Sequence, residues 1–243
     1  MRIRLRLEYD GTSYSGWQWQ AEQDSIQARV EAALERLFGE KIRVYAAGRT
    51  DAGVHALGQV VAFTAPPRFA ASEIQRALNA LLPADIVVRD AAEAAQDFDP
   101  RRAARSRVYE YHILNQDWAS PFDYRYCWLI REPLDDQAMD MAARLFIGEH
   151  DFAAFRSLGS EIKTTVRHVY ASAWKREGSR LLYRVEANSF LRHMVRTMVA
   201  AMVEVGRGKA TIDIVPRLLA SRDRAMAPAA APSRGLFLVE VCY

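Results

Sequence analysis

The chain has 243 residues, of which half are hydrophobic, 26% charged and 10% aromatic, a composition that supports a packed core and excludes a disordered chain. The longest apolar run, 198–203, is far shorter than the ~18 residues that a transmembrane helix needs. The first six residues place a charge at every second position, which is not typical of a signal peptide. We therefore predict a soluble, cytoplasmic protein without a membrane partner.

The net charge of +3 is only mildly basic, but arginine dominates the basic residues. Four of the 33 are lysine and the remaining 29 are arginine. Arginine is suited to phosphate and base-stacking contacts because its planar fork pairs bidentately and stacks. Codon usage in a GC-rich genome would produce the same ratio. Local clusters therefore indicate more about function than the overall charge.

The first half of the chain predicts the element order β-α-β-β-α-β. Apolar residues alternate with charged ones over Ile3–Tyr9, which is typical of a strand with one buried face. Ser25 is placed to cap a helix that Gly39 ends. The other predicted elements are strands over 42–46, 59–63 and 86–89 and a helix over 72–82.

The second half repeats this order with one additional helix. Strands are predicted over 107–114, 166–175, 181–186 and 236–243, and helices over 134–146, 190–205 and 212–220. Two such units predict an α+β protein made of two pseudo-symmetric ferredoxin-like lobes. Each lobe has a sheet flanked by helices, and an active-site cleft is expected between them. We predict lobes over residues 1–103 and 104–243.

A loop between two predicted core strands carries a concentration of polar groups. Asp51 is flanked by Gly48 and Gly53, with Arg49 before it and His55 after it. Glycine allows tight turns and the close approach of another chain. The alternative is an ordinary turn in which Asp51 caps a short helix.

The helix over 190–205 contains an arginine on the border of its apolar face. Met194, Met198 and Met202 form a stripe that predicts core packing. Arg196 lies beside this stripe, and a buried guanidinium is costly without a partner. Asp51 is a candidate partner, and extension of the Arg196 side chain to solvent is the alternative.

A third cluster leads from four arginines into a strand with two tyrosines. Arg107, Tyr109 and Tyr111 share one face of that strand. Basic residues interleaved with aromatics are typical of a nucleic-acid surface. A solvated linker followed by core tyrosines is the alternative.

Together these segments resemble the tRNA pseudouridine synthase A family, whose members modify uridines in the anticodon arm of tRNA. The resemblance spans the whole chain, and its most specific part is Gly48–Ala56, which matches the family's catalytic loop. The other matching segments are 9–18, 79–83, 107–111, 150–152, 190–196 and 235–238.

The resemblance implies a role for each matching residue. Asp51 matches the catalytic aspartate, Tyr109 the tyrosine that contacts the substrate, and Arg49 the arginine that helps hold the target base out of the helix. Arg196 matches the arginine expected to pair with the aspartate, and Leu236 lies in the apolar motif that lines the pocket. We further expect Arg107 to contact RNA and His55 to have a structural or RNA-facing role.

The implied reaction converts uridine to pseudouridine at tRNA positions 38, 39 and 40, with the anticodon arm as partner and a homodimer as the assembly. No step of the reaction needs a cofactor or metal. Asp51 would either attack the nucleotide or remove a proton from the ribose. The net charge predicts that RNA affinity depends on a local basic cleft.

Two other functions compete with this one. A non-catalytic RNA-binding module could be built from two ferredoxin-like lobes. A metal hydrolase could use Asp51 and His55, although the sequence offers no third ligand nearby, and the two cysteines, Cys127 and Cys242, lie far apart.

Overall fold

The computed structural model describes residues 1–157 and 164–243, and its packing separates them into two units. The first contains Met1–Arg105 and Phe237–Tyr243, and the second contains Ser106–Leu236. In chain order the elements are β1 (Arg2–Tyr9), α1 (Ile26–Phe38), β2 (Tyr45–Ala46), β3 (His55–Thr64), α2 (Ala71–Leu81), β4 (Ile86–Ala94), β5 (Ser106–Asn115), β6 (Trp128–Ile130), α3 (Asp136–Arg144), β7 (Gly148–Asp151), β8 (Val166–Glu177), β9 (Arg180–Ala187), α4 (Met194–Gly206), α5 (Ile214–Ser221) and β10 (Leu236–Cys242). Helices pack against sheets in both units, so the predicted α+β class is confirmed.

The sheet of the first unit has the strand order β4-β1-β3, and β2 and β10 extend it along the free edge of β3. Strand β1 runs antiparallel to both of its neighbours. Its apolar residues Ile3, Leu5 and Leu7 are fully buried, as their alternation with arginines predicts. Helices α1 and α2 pack against each other, and α2 packs on β4.

Strand β10 belongs to the first unit although it comes from the end of the chain. It pairs in parallel with β3, with Phe237 opposite His55 and Leu238 opposite Ala56. The predicted C-terminal lobe, 104–243, includes this strand. A sequence pattern shows that a strand is half-buried but not which strand it pairs with, and the pairing decides the unit.

The sheet of the second unit has the antiparallel order β5-β9-β8-β7, and β6 runs parallel to β5. Helix α3 packs on β8 and on α4. Met194, Met198 and Met202 of α4 are fully buried, which confirms their predicted place in the core. The helix begins at Met194, later than predicted, because His193 has the left-handed backbone conformation, with φ at 65°.

Along the described residues, no helix combines the length and apolarity needed to span a membrane.

Candidate active site

Asp51 lies in a tight loop between β2 and β3. The loop is shorter than predicted because β3 begins at His55. The Val54 amide donates to the Asp51 carbonyl at 3.1 Å, and Gly53 has a positive φ of 73°. A strand therefore follows Asp51, and the alternative in which Asp51 caps a short helix is wrong. The turn leaves Asp51 half-buried.

Backbone contacts with the segment 10–17 hold this loop. The Trp17 amide donates to the Thr50 carbonyl at 3.0 Å, and the Gly53 amide donates to the Tyr14 carbonyl at 3.3 Å. These bonds lie on either side of Asp51 in sequence. The carboxylate is therefore presented by a backbone that is fixed before and after it.

Two glycines allow the two backbones to come this close. Gly16 has φ at +95°, and a Cβ atom added there would lie 2.7 Å from the Thr50 carbonyl oxygen. A Cβ atom on Gly11 would overlap the Val54 carbonyl. These positions in segment 9–18 therefore require glycine, since any side chain there would displace the Asp51 loop.

Thr50 holds the loop through a contact in the interior of the unit. Its Oγ1 lies 2.8 Å from the Tyr9 hydroxyl, in the interior of the unit. Burial raises the pKa of Tyr9 to about 12, so the hydroxyl stays neutral. Thr50 itself is buried, its neighbour Arg49 is exposed, and Asp51 is half-buried.

His55 is 1% exposed at the start of β3. Its Nδ1 accepts from the Gly11 amide at 3.1 Å and lies 3.1 Å from an Asp10 carboxylate oxygen. Its ring stacks on Phe237 with 4.7 Å between centroids. These contacts join the segment 9–18 to β3 and β10. Such a buried ring fits a structural role for His55, and its predicted contact with RNA stays a prediction.

The second unit contains Tyr109 on β5. Its ring is 8% exposed and meets the edge of Phe190, with 5.0 Å between centroids and 80° between the ring planes. Edge-to-face packing of this kind fixes the orientation of both rings. Phe190 lies in the segment between β9 and α4, so Tyr109 is positioned by a neighbour far away in sequence.

Arg107 lies on the same face of β5, two residues before Tyr109. It is 7% exposed, and its Nη1 donates to the Asn188 carbonyl at 2.9 Å. That bond holds the segment leading to Phe190. The bond gives Arg107 a structural role in this unit, and its predicted contact with RNA stays a prediction.

Arg196 is half-buried on α4. Its Nε donates to the Ala231 carbonyl at 2.7 Å, and the Ala231 amide donates to the Arg196 carbonyl at 3.0 Å. A backbone carbonyl thus accepts a hydrogen bond from one nitrogen of the guanidinium, while the side chain as a whole stays partly exposed. Asp51 is in the other unit, and its pairing with Arg196 stays a prediction.

Leu236 is 5% exposed and follows a turn that Tyr111 holds. The Tyr111 hydroxyl donates to the Pro232 carbonyl at 2.8 Å, and burial raises the pKa of Tyr111. A Cβ atom on Gly235 would lie 2.8 Å from the Tyr111 ring. The ring therefore sets the path of the chain into Leu236, and Tyr111 is a core tyrosine.

A family model described as tRNA pseudouridine synthase matches residues 7–101 and 142–243. The chain belongs to this family. The tRNA pseudouridine synthase A of Geotalea uraniireducens (strain Rf4) is 46% identical, with 100% of this chain and 99% of the relative covered. The tRNA pseudouridine synthase A of Myxococcus xanthus is 44% identical, with 100% and 92% covered. That of Moorella thermoacetica is 43% identical, with 99% of each covered. The predicted family and the isomerase class are thereby confirmed.

Solved structures give a weaker comparison. One titled "Crystal Structure of a Cbf5-Nop10-Gar1 Complex" covers 82% of this chain and 54% of its own, at 14% identity and a TM-score of 0.35. The chain thus spans about half the length of that protein.

Two supporting residues lay outside the predicted site: Phe190, which packs on Tyr109, and Tyr14, whose hydroxyl donates to Asp85 at 2.6 Å. Burial and this carboxylate raise the pKa of Tyr14. An aromatic residue inside a glycine-containing loop was the available signal for Tyr14. Within 1–157 and 164–243, no cluster of three or more His, Cys, Asp or Glu side chains could hold a metal ion.

Proposed function

We propose that the protein isomerises uridine to pseudouridine at positions 38, 39 and 40 in the anticodon arm of tRNA, with Asp51 as the catalytic carboxylate. The observation that carries this proposal is the Asp51 loop. It presents one carboxylate, half-buried, from a backbone fixed on both sides by bonds to Tyr14 and Trp17. Membership of the tRNA pseudouridine synthase family supplies the substrate class.

The reaction moves one bond and loses no atoms. The N1–C1′ bond breaks, the uracil rotates, the C5–C1′ bond forms, and a proton that leaves C5 is balanced by one gained at N1. A base inside a stem is not free to rotate, so the nucleotide must first be extruded at a cost of a few kcal/mol. Asp51 then either attacks the sugar or removes a proton from it.

The other residues would position the nucleotide. Arg49 is exposed two residues before Asp51, which suits it to fill the gap that the extruded base leaves. The ring of Tyr109, oriented by Phe190, would pack against the uracil. Arg196, held by the Ala231 carbonyl, would pair with Asp51 and favour its ionised form. Leu236 would contribute to an apolar wall.

The test uses tRNA transcripts tritiated at uracil C5, because forming the C5–C1′ bond expels that hydrogen. The native chain should release tritium, and Asp51→Asn should lower the rate at least about 100-fold with little change in tRNA binding. Asp97→Asn is the matched control, since Asp97 is an exposed carboxylate of the same unit. Replacing the uridines at positions 38, 39 and 40 one at a time by cytidine identifies the positions that react.

If the native chain binds tRNA and releases no tritium, the isomerase proposal is wrong and the RNA-binding module replaces it. If Asp51→Asn reacts at the native rate, Asp51 is not catalytic.

The resemblance also supports a homodimer in the cytoplasm. Size-exclusion chromatography coupled to light scattering tests the dimer. A dimer should give twice the mass of one chain at micromolar concentration. A single-chain mass would contradict it.

A further inference from the structure

A buried glutamine on β3, Gln59, contacts both the Asp51 loop and the Tyr9 hydroxyl. Gln59 is fully buried and lies opposite Leu7 of β1. Its Nε2 donates to the Gly48 carbonyl at 2.8 Å and to the Tyr9 hydroxyl at 3.4 Å. One amide nitrogen therefore joins the start of the loop to the interior of the unit.

The chemistry of the amide fixes the direction of these hydrogen bonds. An amide nitrogen carries two hydrogens and accepts none. The Tyr9 oxygen therefore accepts from Gln59, and its own hydrogen goes to Thr50 Oγ1, 2.8 Å away. Gly48 and Thr50 come shortly before Asp51 in the chain. The network thus holds the loop at residues 48 and 50, next to the proposed catalytic carboxylate.

The acceptor side of the same amide is unfavourable for the fold. Gln59 Oε1 is buried and has no hydrogen-bond partner among the described residues. A buried acceptor without a partner costs stability, and an apolar side chain of the same length would avoid that cost. Gly48 is half-buried, so water can replace the bond that its carbonyl would lose. The contribution of Gln59 is therefore the position of the loop.

We propose that Gln59 is a positioning residue, which holds the loop through Gly48 and Tyr9 so that the Asp51 carboxylate meets the sugar of the target nucleotide. The proposal rests on the proposed function for the reaction that Gln59 serves. A displacement of about 1 Å in a reacting group can lower a rate up to ~100-fold. Loss of the Gln59 amide should therefore slow the chemical step and leave tRNA affinity near native.

The test is Gln59→Met, which keeps the length of the side chain and removes both donors. With saturating enzyme in a single turnover, tritium release from an anticodon-arm tRNA transcript should slow about tenfold. The dissociation constant for that transcript should stay within about twofold of native, because the change is confined to the chemical step.

Gln75→Met is the matched control. Gln75 lies on α2 of the same unit, and its Nε2 also donates to two acceptors, the Val88 and Arg89 carbonyls, both at 3.1 Å. These bonds join α2 to β4 instead of holding the loop. Gln75→Met should therefore release tritium at the native rate.

Hydrogen exchange of the peptide that spans residues 47–54 gives a readout independent of activity. Exchange there should be faster in Gln59→Met than in the native chain, because the loop has lost a hydrogen-bonded contact, and should be native in Gln75→Met. This readout separates the two proposals. If the native chain releases no tritium, the isomerase proposal is wrong, and faster exchange in Gln59→Met would still support the role of Gln59 in holding the loop.

Three results would overturn the positioning role. The first is native exchange together with native tritium release in Gln59→Met. The second is an equal loss in Gln75→Met. The third is a loss of tRNA affinity as large as the loss of rate, which is the pattern of a general structural defect.

Gln59→Glu decides the matter if Gln59→Met does not fold. The protonated carboxyl has the shape of the amide and donates one bond, whereas the carboxylate donates none. Divided by the native rate at the same pH, tritium release should be close to native near pH 6, where burial keeps the carboxyl protonated, and should fall towards pH 9. Tyr9, the titratable group that Gln59 contacts, keeps its proton over this range, since burial raises its pKa to about 12. Circular dichroism checks the fold at each pH, and a native ratio throughout would overturn the proposal.

Discussion

Two regions are positioned by different kinds of contact. One is the Asp51 loop of the first unit, and the other is the part of the second unit around Tyr109 and Arg196. In the first unit, backbone meets backbone: the amides of Trp17 and Gly53 bond across the two loops, and Gly16 leaves no room for another atom. In the second unit, side chains do the positioning, with Phe190 against Tyr109 and the guanidinium of Arg196 against a carbonyl.

This difference determines how each region responds to change. Where two backbone segments are already in van der Waals contact, a Cβ atom added to one of them cannot be accommodated unless the whole loop moves. A substitution that removes one group from a side chain weakens its contact, while the strand that carries the side chain stays in place. We therefore expect abrupt losses in the first region and graded losses in the second.

The sharpest test of the comparison is Gly16→Ala. The new Cβ would lie 2.7 Å from the Thr50 carbonyl oxygen, at a φ of +95° that alanine disfavours. Strain and overlap together should cost more than about 3 kcal/mol of the free energy of unfolding, which is a large share of a typical total. Urea unfolding followed by circular dichroism measures it, and tritium release should fall with it.

Gly39→Ala separates strain from overlap. Gly39 ends α1 with φ at +76° and has nothing within 4 Å of an added Cβ. Only the left-handed conformation is then penalised, at about 1 kcal/mol. Equal costs for the two substitutions would show that the close backbone contact contributes nothing.

Alkaline pH gives a second test of the first region through Tyr9. Burial raises the pKa of Tyr9 from 10.0 to about 12, so the folded state holds this proton more tightly than the unfolded chain does. The stability from this group is complete below pH 10 and is lost as pH rises from 10 to 12, by about 2 kcal/mol at pH 11.5. Tyr9→Phe loses the bond to Thr50 but does not titrate. It should therefore be the less stable chain at pH 8 and should lose its disadvantage near pH 11.5, as measured by urea unfolding at both pH values. A cost that does not change with pH would contradict the buried hydroxyl.

Local sequence patterns predicted many of the helices and strands correctly. The alternation in β1, the capping serine and terminal glycine of α1 and the methionine stripe of α4 are each set by residues within a few positions. They missed β6 and β7 and predicted β2 too long. These strands are short, and β6 is set by its partner β5.

The candidate site was predictable in its residue types but not in its contacts. Asp51, Arg49 and Tyr109 could be chosen from the matching motifs. The burial of His55 under Phe237 and of Arg107 against Asn188 depends on pairings between distant segments, which no local pattern encodes. The same reason hid Phe190 as the partner of Tyr109.

The smallest expected effect is that of Glu110→Gln, which tests the second region. Glu110 lies beside Tyr109 in β5. It accepts from Arg184 Nη1 at 2.6 Å, and His112 Nε2 lies 3.4 Å from its other oxygen. The hydrogen bond with His112 contributes most to lowering the pKa of Glu110 below 4.5, with a further contribution from Arg184. The Glu110 side chain is 22% exposed, so solvent weakens the pair.

A carboxylate whose pKa is lowered stabilises the fold above the unfolded value of 4.5, and this contribution is lost as pH falls through the folded pKa. Glu110→Gln should therefore cost about 1 kcal/mol at pH 7 and almost nothing near pH 3, measured by urea unfolding at both pH values. Tritium release at pH 7 should fall only slightly, because β5 stays paired with β9 on either side of the change. An abrupt loss of folding or activity in Glu110→Gln would contradict the graded response expected of this region. It would mean that side-chain contacts in the second unit are as intolerant of change as the backbone contacts around Asp51.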